Sequence, residues 1–542
     1  MNKLCDDTNN LILSFLILYD KNDLTLTNDI FLLSLTSKYW NKLIDKYIDK
    51  YKKGYKVQFG GVIDNACAYG QVNVLEWWKN TCETNNNEFK YDENALEYAS
   101  EHGWINVLEW FRNLCTNSDY KFKYDNRIYK TILYPEGVIE YACKNGHVNV
   151  LEWWKNIDKL YGYEFIYNEN AIKNACEYGH INVLEWFKNS EYEFVFNKHA
   201  IEEACSYGHI NVLEWFKNSE YEFVFDESTI EHASINGRVN ILEWWKNSGY
   251  ALIYDEYSAA FASLNGYVDV LEWWKNSGYE FTYDENSITW ASQSGHIHVL
   301  EWWANLCKNS GYEFIYDENS ITWASSNGHI HVLEWWSNLC KNSEYEFIYD
   351  EWAINHASRN GHIDVLEWWS NLCKNSEYEF KYDECAINHA ADEGHIHVLE
   401  WWKNSGYKLE YNENAINWAS EEGRINVLEW FAKLCENSGY ELIYDENAIE
   451  SASRNGHIHV LEWWTNFCEN SEYEFKYDES AINNAFHSEQ LDVLEWFKNS
   501  VHEFKYDNRA LAHADDYVVD WYEKNQQYLP NIMRNVPLIP YL

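Results

Sequence analysis

One hydrophobic pattern recurs along most of the chain and is centred on the tetrapeptide Val-Leu-Glu-Trp, once written Ile-Leu-Glu-Trp. Successive copies are separated by 29 or 33 residues, with one interval of 43. Fixed periods in this range indicate a repeat array rather than a string of unrelated globular domains. The leucine of the tetrapeptide stands at positions 75, 108, 151, 184, 213, 242, 271, 300, 333, 366, 399, 428, 461 and 494.

The unit that begins at Asp317 predicts two helices joined by a tight turn. Asp317 is a candidate N-cap, because its carboxylate can accept the unpaired backbone N–H groups of a first helix. Ile321 and Ala324 lie three residues apart and so share one face of that helix. Gly328 stands where a helix ends in the left-handed conformation, which glycine adopts without steric penalty. The second helix is expected to begin one or two residues later.

The second helix is too apolar to be covered from one side only. At about 100° per residue, its apolar positions cover roughly 220° of the circumference, about twice the stripe of a helix that is buried on one side. Such a helix needs neighbours on both flanks, so each unit depends on the preceding and the following unit. In the unit above, these positions are Ile330, Val332, Leu333, Trp335 and Trp336, with Glu334 on the remaining polar side.

The two common intervals differ by four residues, which is about one helical turn. Longer units insert residues after the second aromatic position, and Leu339 and Cys340 then continue the apolar stripe from Trp336. We therefore expect the insertion to lengthen the second helix without rotating its buried face.

The repeat Asn-Gly-His-Ile-x-Val-Leu-Glu-Trp-Trp/Phe, followed by Ser-Gly-Tyr-Glu-Phe, resembles the second helix and outgoing loop of the ankyrin repeat over roughly residues 60–525. The resemblance implies an all-α fold, an α-solenoid of about fourteen stacked helix-turn-helix repeats, and a protein target bound along the concave face. The usual Thr-Pro-Leu-His opening is replaced by sequences such as residues 286–289, and a reduced β-hairpin finger is expected. The Trp-rich variant is similar to ankyrin proteins of giant DNA viruses of amoebae.

The N-terminal segment has a different pattern, with two apolar runs near residues 11–16 and 30–35. It resembles an F-box, the three-helix module that docks on the adaptor subunit of cullin–RING ubiquitin ligases. The alternative is a helical cap that closes the first repeat. The predicted domains are a helical F-box-like module (1–50), the solenoid (51–505) and a degenerate C-terminal capping repeat with a tail (506–542). The resemblance implies adaptor contacts by Leu4, Leu11, Ile12, Phe15, Leu16, Leu33, Leu35 and Trp40.

Composition restricts the partners. Lysine and arginine number 42 against 87 aspartates and glutamates, a net charge of −45. Such a surface repels phosphate backbones and anionic lipids, so we expect neither nucleic acid nor membrane as a partner. The apolar run at residues 11–18 follows Asp6 and Asp7, unlike a signal peptide. The 13 cysteines are an odd number, which favours reduced thiols and the cytoplasm, that of the host if the protein is viral.

Two columns of reactive side chains have structural interpretations. A histidine follows the turn glycine at positions 147, 180, 209, 296, 329, 362, 395 and 457, but Arg238, Tyr267 and Arg424 replace it elsewhere. A metal ligand would not tolerate those replacements, and copies about 10 Å apart could not share one ion. Cysteines of the lengthened helix are expected to be small buried hydrophobic residues. They stand at positions 82, 115, 307, 340, 373, 435 and 468.

The sequence contains no catalytic motif, so we expect no enzyme activity, no cofactor, no metal and no small-molecule substrate. Positions that vary between repeats are free to serve a partner. One first-helix column is rich in aromatic residues, and it is either a partner-binding stripe or a second layer of packing. The stripe consists of Phe261, Trp290, Trp323, His356, His389 and Trp418.

Together the two resemblances imply an interaction protein that recruits substrates to a cullin–RING ligase of the F-box type. The alternative is an ankyrin-repeat scaffold that binds or sequesters a host protein without ubiquitin transfer. The identity of the target is open in both cases.

Overall fold

The computed structural model describes residues 17–19, 23–26, 56–58, 62–84, 89, 94–117, 137–161, 165–507, 510–513 and 515–529. The chain divides into two compact units, Met1–Tyr254 and Asp255–Leu542. Both units consist of helix pairs in which each first helix packs against the first helices of its neighbours. The prediction of an all-α solenoid of helix-turn-helix repeats is therefore confirmed.

Three short strands lie at the N-terminal end of the first unit: β1 (Ile17–Tyr19), β2 (Asp23–Leu26) and β3 (Lys56–Gln58). β2 is central, antiparallel to β1 and parallel to β3. The pattern of residues 1–50 predicts a purely helical segment, so these strands differ from the prediction. Ile17 and Tyr19 in β1, Thr25 in β2 and Val57 in β3 favour extended backbone.

The described residues of the first unit form six helix pairs, in which odd-numbered helices are the first and even-numbered helices the second of each repeat. Their bounds are α1 Val62–Ala68, α2 Val72–Thr84, α3 Asn94–Glu101, α4 Ile105–Asn117, α5 Val138–Lys144, α6 Val148–Tyr161, α7 Glu169–Glu177, α8 Ile181–Lys188, α9 Lys198–Tyr207, α10 Ile210–Lys217, α11 Glu227–Ile235 and α12 Val239–Ser248.

In the part of the second unit that the structure describes, eight further pairs are followed by a final helix between two short 3₁₀ turns, Ala510–His513 and Gln526–Tyr528. The helix bounds are α13 Tyr257–Leu264, α14 Val268–Asn276, α15 Asn286–Gln293, α16 Ile297–Ser310, α17 Asn319–Ser326, α18 Ile330–Lys341, α19 Trp352–Arg359, α20 Ile363–Lys374, α21 Cys385–Asp392, α22 Ile396–Ser405, α23 Glu413–Glu421, α24 Ile425–Ser438, α25 Asn447–Arg454, α26 Ile458–Glu469, α27 Glu479–His487, α28 Leu491–Asn499 and α29 Asp516–Asn525.

The boundaries of one repeat follow the sequence signals closely. Asp317 Oδ1 accepts the backbone N–H of Asn319, the first residue of α17, at 3.1 Å. Gly328 has φ 76°, in the left-handed region that L side chains disfavour. The second helix, α18, begins at Ile330. The expected cap, turn and helix start are therefore all present.

The four-residue insertion extends the second helix, as expected. α16 and α24 each have 14 residues, whereas α8 and α10 each have 8. In α16, the added turn buries Leu306 and Cys307 on the side that carries the aromatic core. A whole added turn keeps the apolar face in register with its neighbours.

Candidate interaction surface

The second aromatic position of each Val-Leu-Glu-Trp-Trp/Phe copy forms the centre of the core. Trp303, Trp336, Trp369, Trp402 and Trp464 are all 0% exposed. Each of these indoles donates its Nε1–H to a serine hydroxyl on the first helix of the preceding repeat. Trp402, for example, lies 2.6 Å from Ser358 Oγ. The pairs are Trp154–Ser100, Trp303–Ser263, Trp336–Ser292, Trp369–Ser325, Trp402–Ser358 and Trp464–Ser420.

This pairing is readable in the sequence, but the sequence analysis missed it. Where the aromatic residue is Phe187, Phe216 or Phe431, the corresponding residue of the preceding first helix is Cys143, Cys176 or Ala391. Phenylalanine needs no acceptor, so the serine is not required. Two repeats depart from this rule. Cys205 occupies the serine position for Trp245, so the indole Nε1–H meets a thiol and no oxygen acceptor among the described residues. Ser453 occupies it for Phe497, and its hydroxyl donates to Ile449 O in its own helix at 2.7 Å.

The histidine that follows each turn glycine caps the preceding repeat. His209 Nε2 lies 2.9 Å from the carbonyl oxygen of Glu177, two residues before Gly179. Arginine and tryptophan make the same bond where they replace histidine, and this explains the exchange. The corresponding contacts are Arg238 Nε to Ser206 O at 2.8 Å, Arg424 Nε to Asp392 O at 3.2 Å and Trp104 Nε1 to Ala68 O at 2.9 Å. These carbonyls lie at helix C-termini, where intrahelical donors are lacking.

The histidine rings also pack against the glycines of the preceding repeat. A Cβ placed on Gly328 would lie 3.0 Å from the ring of His362, and one on Gly146 would lie 2.7 Å from Nδ1 of His180. Burial lowers the pKa of His180 and of His329 below the ordinary value of 6.5. No group of three or more His, Cys, Asp or Glu side chains in the described part is arranged to hold a metal ion.

The cysteines of the lengthened helix lie against the core. Cys82, Cys307 and Cys340 are buried, and Cys373, Cys435 and Cys468 are half-buried. Burial raises the pKa of Cys307 and of Cys340 to about 11. Thiols with such pKa values are protonated at neutral pH and poorly nucleophilic.

The first aromatic position forms a second, half-exposed layer. In many repeats its indole donates to the glutamate of the preceding Val-Leu-Glu-Trp copy, as in Trp215 Nε1 to Glu185 at 2.5 Å and Trp302 Nε1 to Glu272 at 2.6 Å. The glutamate was expected only to face solvent. It also links consecutive second helices.

The six residues of the proposed stripe lie on first helices of the second unit, between α13 and α23. Trp323 is 37% exposed, and the others are half-buried. Their rings contact one another across repeats: Phe261 and Trp290 have centroids 5.3 Å apart, and His389 and Trp418 stack at 5.2 Å. Trp323 meets His356 edge-on at 5.7 Å. The stripe thus consists of three ring pairs that are half-exposed, unlike the fully buried tryptophans of the second helices.

Charges flank this stripe. Arg359 Nε lies 3.4 Å from Glu393 Oε1, next to His356 and His389. Burial, together with the Arg359 charge, lowers the pKa of both histidines. Burial and the nearby Glu393 raise the pKa of Asp392. The histidines are therefore neutral at pH 7 and present aromatic rather than cationic surfaces.

The eight residues assigned to adaptor binding, from Leu4 to Trp40, lie outside the described residues. Residues 118–136, which belong to the 43-residue interval, also lie outside them. Among the helices that are described, none combines the length and apolar character needed to cross a bilayer.

No family model matches the chain, and no curated protein matches it. Among solved structures, the pentatricopeptide repeat protein PPR10 from maize is similar over 89% of this chain and 72% of its own, with 12% identity and a TM-score of 0.25. A TM-score this low leaves the functional interpretation to the contacts described above.

Proposed function

We propose that the chain is a non-catalytic scaffold that binds a protein target through the aromatic stripe of its first helices. The observation that carries this proposal is the difference between the two tryptophan layers: Trp323 is 37% exposed, whereas Trp336 in the same repeat is 0% exposed. Half-exposed aromatic side chains held rigid by neighbours make strong contacts at protein interfaces. The repeats supply an extended surface for such contacts.

The test replaces Trp290, Trp323 and Trp418 with serine together. Affinity capture with the full chain, followed by mass spectrometry, would identify partners that depend on these side chains. Tyr440, which is 40% exposed in a loop, provides the control variant Tyr440→Ser. We expect the triple variant to lose partners that the control retains, with unchanged far-UV circular dichroism. Unfolding of the triple variant would assign the stripe to the core.

The finer part of the proposal is that the repeats are of ankyrin type, as in giant viruses, and that residues 1–50 recruit a cullin–RING ligase in the host cytoplasm. Its support is the apolar pattern of residues 11–16 and 30–35. A pull-down with the adaptor subunit, using Leu11, Phe15 and Leu16 changed to aspartate, tests it. Adaptor binding that is absent, or that survives these changes, would favour the scaffold that acts without ubiquitin transfer.

A further inference from the structure

The second helices carry a repeated cation site that the chain fills from within in some repeats. The site lies between the glutamate of one Val-Leu-Glu-Trp copy and the first aromatic residue of the next copy, and we call it the Glu–Trp notch. Lys155 lies 3.6 Å from Glu152 and 5.6 Å from the ring centroid of Trp186. Lys498 lies 2.5 Å from Glu495 and 5.9 Å from the ring of Trp521.

Two further lysines take the same place, with Lys188 at 5.7 Å from Trp215 and Lys217 at 5.8 Å from Trp244. An ammonium group over an indole face, with a carboxylate beside it, is a favourable arrangement for a cation. Four internal examples show that the notch geometry accepts a lysine side chain.

Two consecutive notches in the second unit lack their lysine. Ala304 in α16 and Ser337 in α18 stand at the lysine position. Glu301 and Glu334 are exposed, and Trp335 and Trp368 are half-exposed. The indole–glutamate hydrogen bond of the filled notches, such as that of Trp186 with Glu152, is not among the described contacts of these two notches. Among the described residues, no cation lies over either indole. The next notch, between Glu367 and Trp401, has Ser370 at the lysine position. It is covered by Tyr407, whose hydroxyl donates to Ser370 Oγ at 3.3 Å.

The nearest lysines of the same helices do not replace the missing ones. Lys308 and Lys341 follow Glu301 and Glu334 by seven residues, which is about 10 Å along a helix. Both belong to the added turn and are exposed. Neither lysine forms an ion pair with Glu301 or Glu334 among the described contacts.

We propose that the two open notches, Glu301–Trp335 and Glu334–Trp368, bind lysine or arginine side chains of an extended segment of a partner protein. The net charge of −45 favours a basic partner. Neighbouring helices lie about 8–10 Å apart, and three residues of an extended polyproline II segment rise about 9 Å and bring the side chain back to the same face. The segment therefore carries a basic residue at every third position. This surface belongs to the second helices and is separate from the aromatic stripe of the first helices.

The experiment measures binding of a fluorescein-labelled peptide of four Lys-Ser-Ser units to the full chain by fluorescence anisotropy at 0.15 M salt. A peptide of the same composition with its four lysines contiguous is the comparison. The variant Ala304→Lys/Ser337→Lys fills both notches from within, in the manner of Lys155. The matched control Asn305→Lys/Asn338→Lys adds the same charge at exposed neighbouring positions.

We expect the spaced peptide to bind more tightly than the contiguous one, and the notch-filling variant to weaken its binding about tenfold, since each notch combines a cation–π contact with an ion pair. The matched control should change binding less than twofold. Equal binding of the two peptides, or equal weakening by the two variants, would reduce the effect to general charge attraction and overturn the proposal. If the filled variant is misfolded by circular dichroism, Glu301→Gln/Glu334→Gln replaces it, with the same tenfold loss expected.

Discussion

The hydrogen bond between each buried tryptophan and a serine of the preceding repeat makes a quantitative prediction. In the variant Ser358→Ala, the indole Nε1–H of Trp402 loses its acceptor, which lies at 2.6 Å in a 0%-exposed position. Leaving a buried donor unsatisfied costs about 1–3 kcal/mol. We therefore expect Ser358→Ala to lower the stability of the second unit by this amount, although it removes a single oxygen atom.

The double variant Ser358→Ala/Trp402→Phe separates this cost from that of lost packing. It reproduces the combination of Ala391 and Phe431 that the chain already contains. Trp402→Phe alone removes indole volume but leaves Ser358 Oγ able to donate within its own helix, as Ser453 does to Ile449 O at 2.7 Å. The double variant should then lose at least about 1 kcal/mol less of the free energy of unfolding than the two single variants added together.

The assay is urea unfolding followed by circular dichroism, together with amide hydrogen exchange in α19 and α22. Hydrogen exchange is needed because repeat arrays can open locally rather than in one step. The reciprocal variant Cys205→Ser supplies Trp245 with an acceptor and should increase the stability of the first unit by about 1 kcal/mol. Additive costs in the Ser358–Trp402 cycle, with no gain from Cys205→Ser, would refute the reasoning.

Two more predictions concern the turn. Gly328→Ala should destabilise more than Gly311→Ala: both glycines have left-handed φ, 76° and 77°, but only at Gly328 does the new Cβ meet a ring, that of His362 at 3.0 Å. The difference between the urea midpoints of the two variants measures this crowding, because both variants share the backbone strain of about 1–2 kcal/mol. The second prediction concerns pH. Burial lowers the pKa of four of the histidines that follow a turn glycine in the folded chain from the ordinary value of 6.5, namely His296, His329, His395 and His457. Just below pH 6.5 the unfolded chain therefore binds more protons than the folded chain, and the free energy of unfolding decreases as the pH is lowered. The variant with arginine at all four positions keeps the carbonyl bond, as Arg238 and Arg424 do, and should show a shallower loss of stability between pH 6.5 and 5. An unchanged slope would contradict a contribution from these histidines.

The sequence predicted the helices well because their signals are local. A cap residue such as Asp317, a turn glycine such as Gly328 and an apolar period of 3.6 residues all act within one repeat. The contacts between repeats were harder to predict, because donor and acceptor lie 30 or more residues apart. The Trp402–Ser358 pair becomes visible only when the tryptophan position of one repeat is compared, copy by copy, with the serine position of the preceding repeat. The exchange of histidine for Arg238 is explained only by the N–H donor that both side chains carry.

The candidate surface was only partly predictable. The variable first-helix column identified Trp323 and its neighbours, but their degree of exposure depends on how tightly the first helices pack, which the pattern of one repeat does not determine. The strands β1 to β3 were missed because their residues join segments far apart in the sequence, and short apolar runs do not distinguish strand from helix.

The serine–tryptophan pairing also governs how such an array can grow. A repeat such as the one with Ser358 and Trp369 carries both the acceptor for its successor and the donor for its predecessor, so copying it whole leaves each new junction complete. Joining a block of repeats that carry cysteine at the serine position to a block that carries serine and tryptophan leaves one tryptophan without its serine. Cys143, Cys176 and Cys205 belong to consecutive repeats, and serines follow at Ser234 and Ser263. Trp245 stands where the cysteine block ends, and its indole, which has a thiol in place of the serine hydroxyl, marks that junction as a mismatched pair in the duplicated sequence.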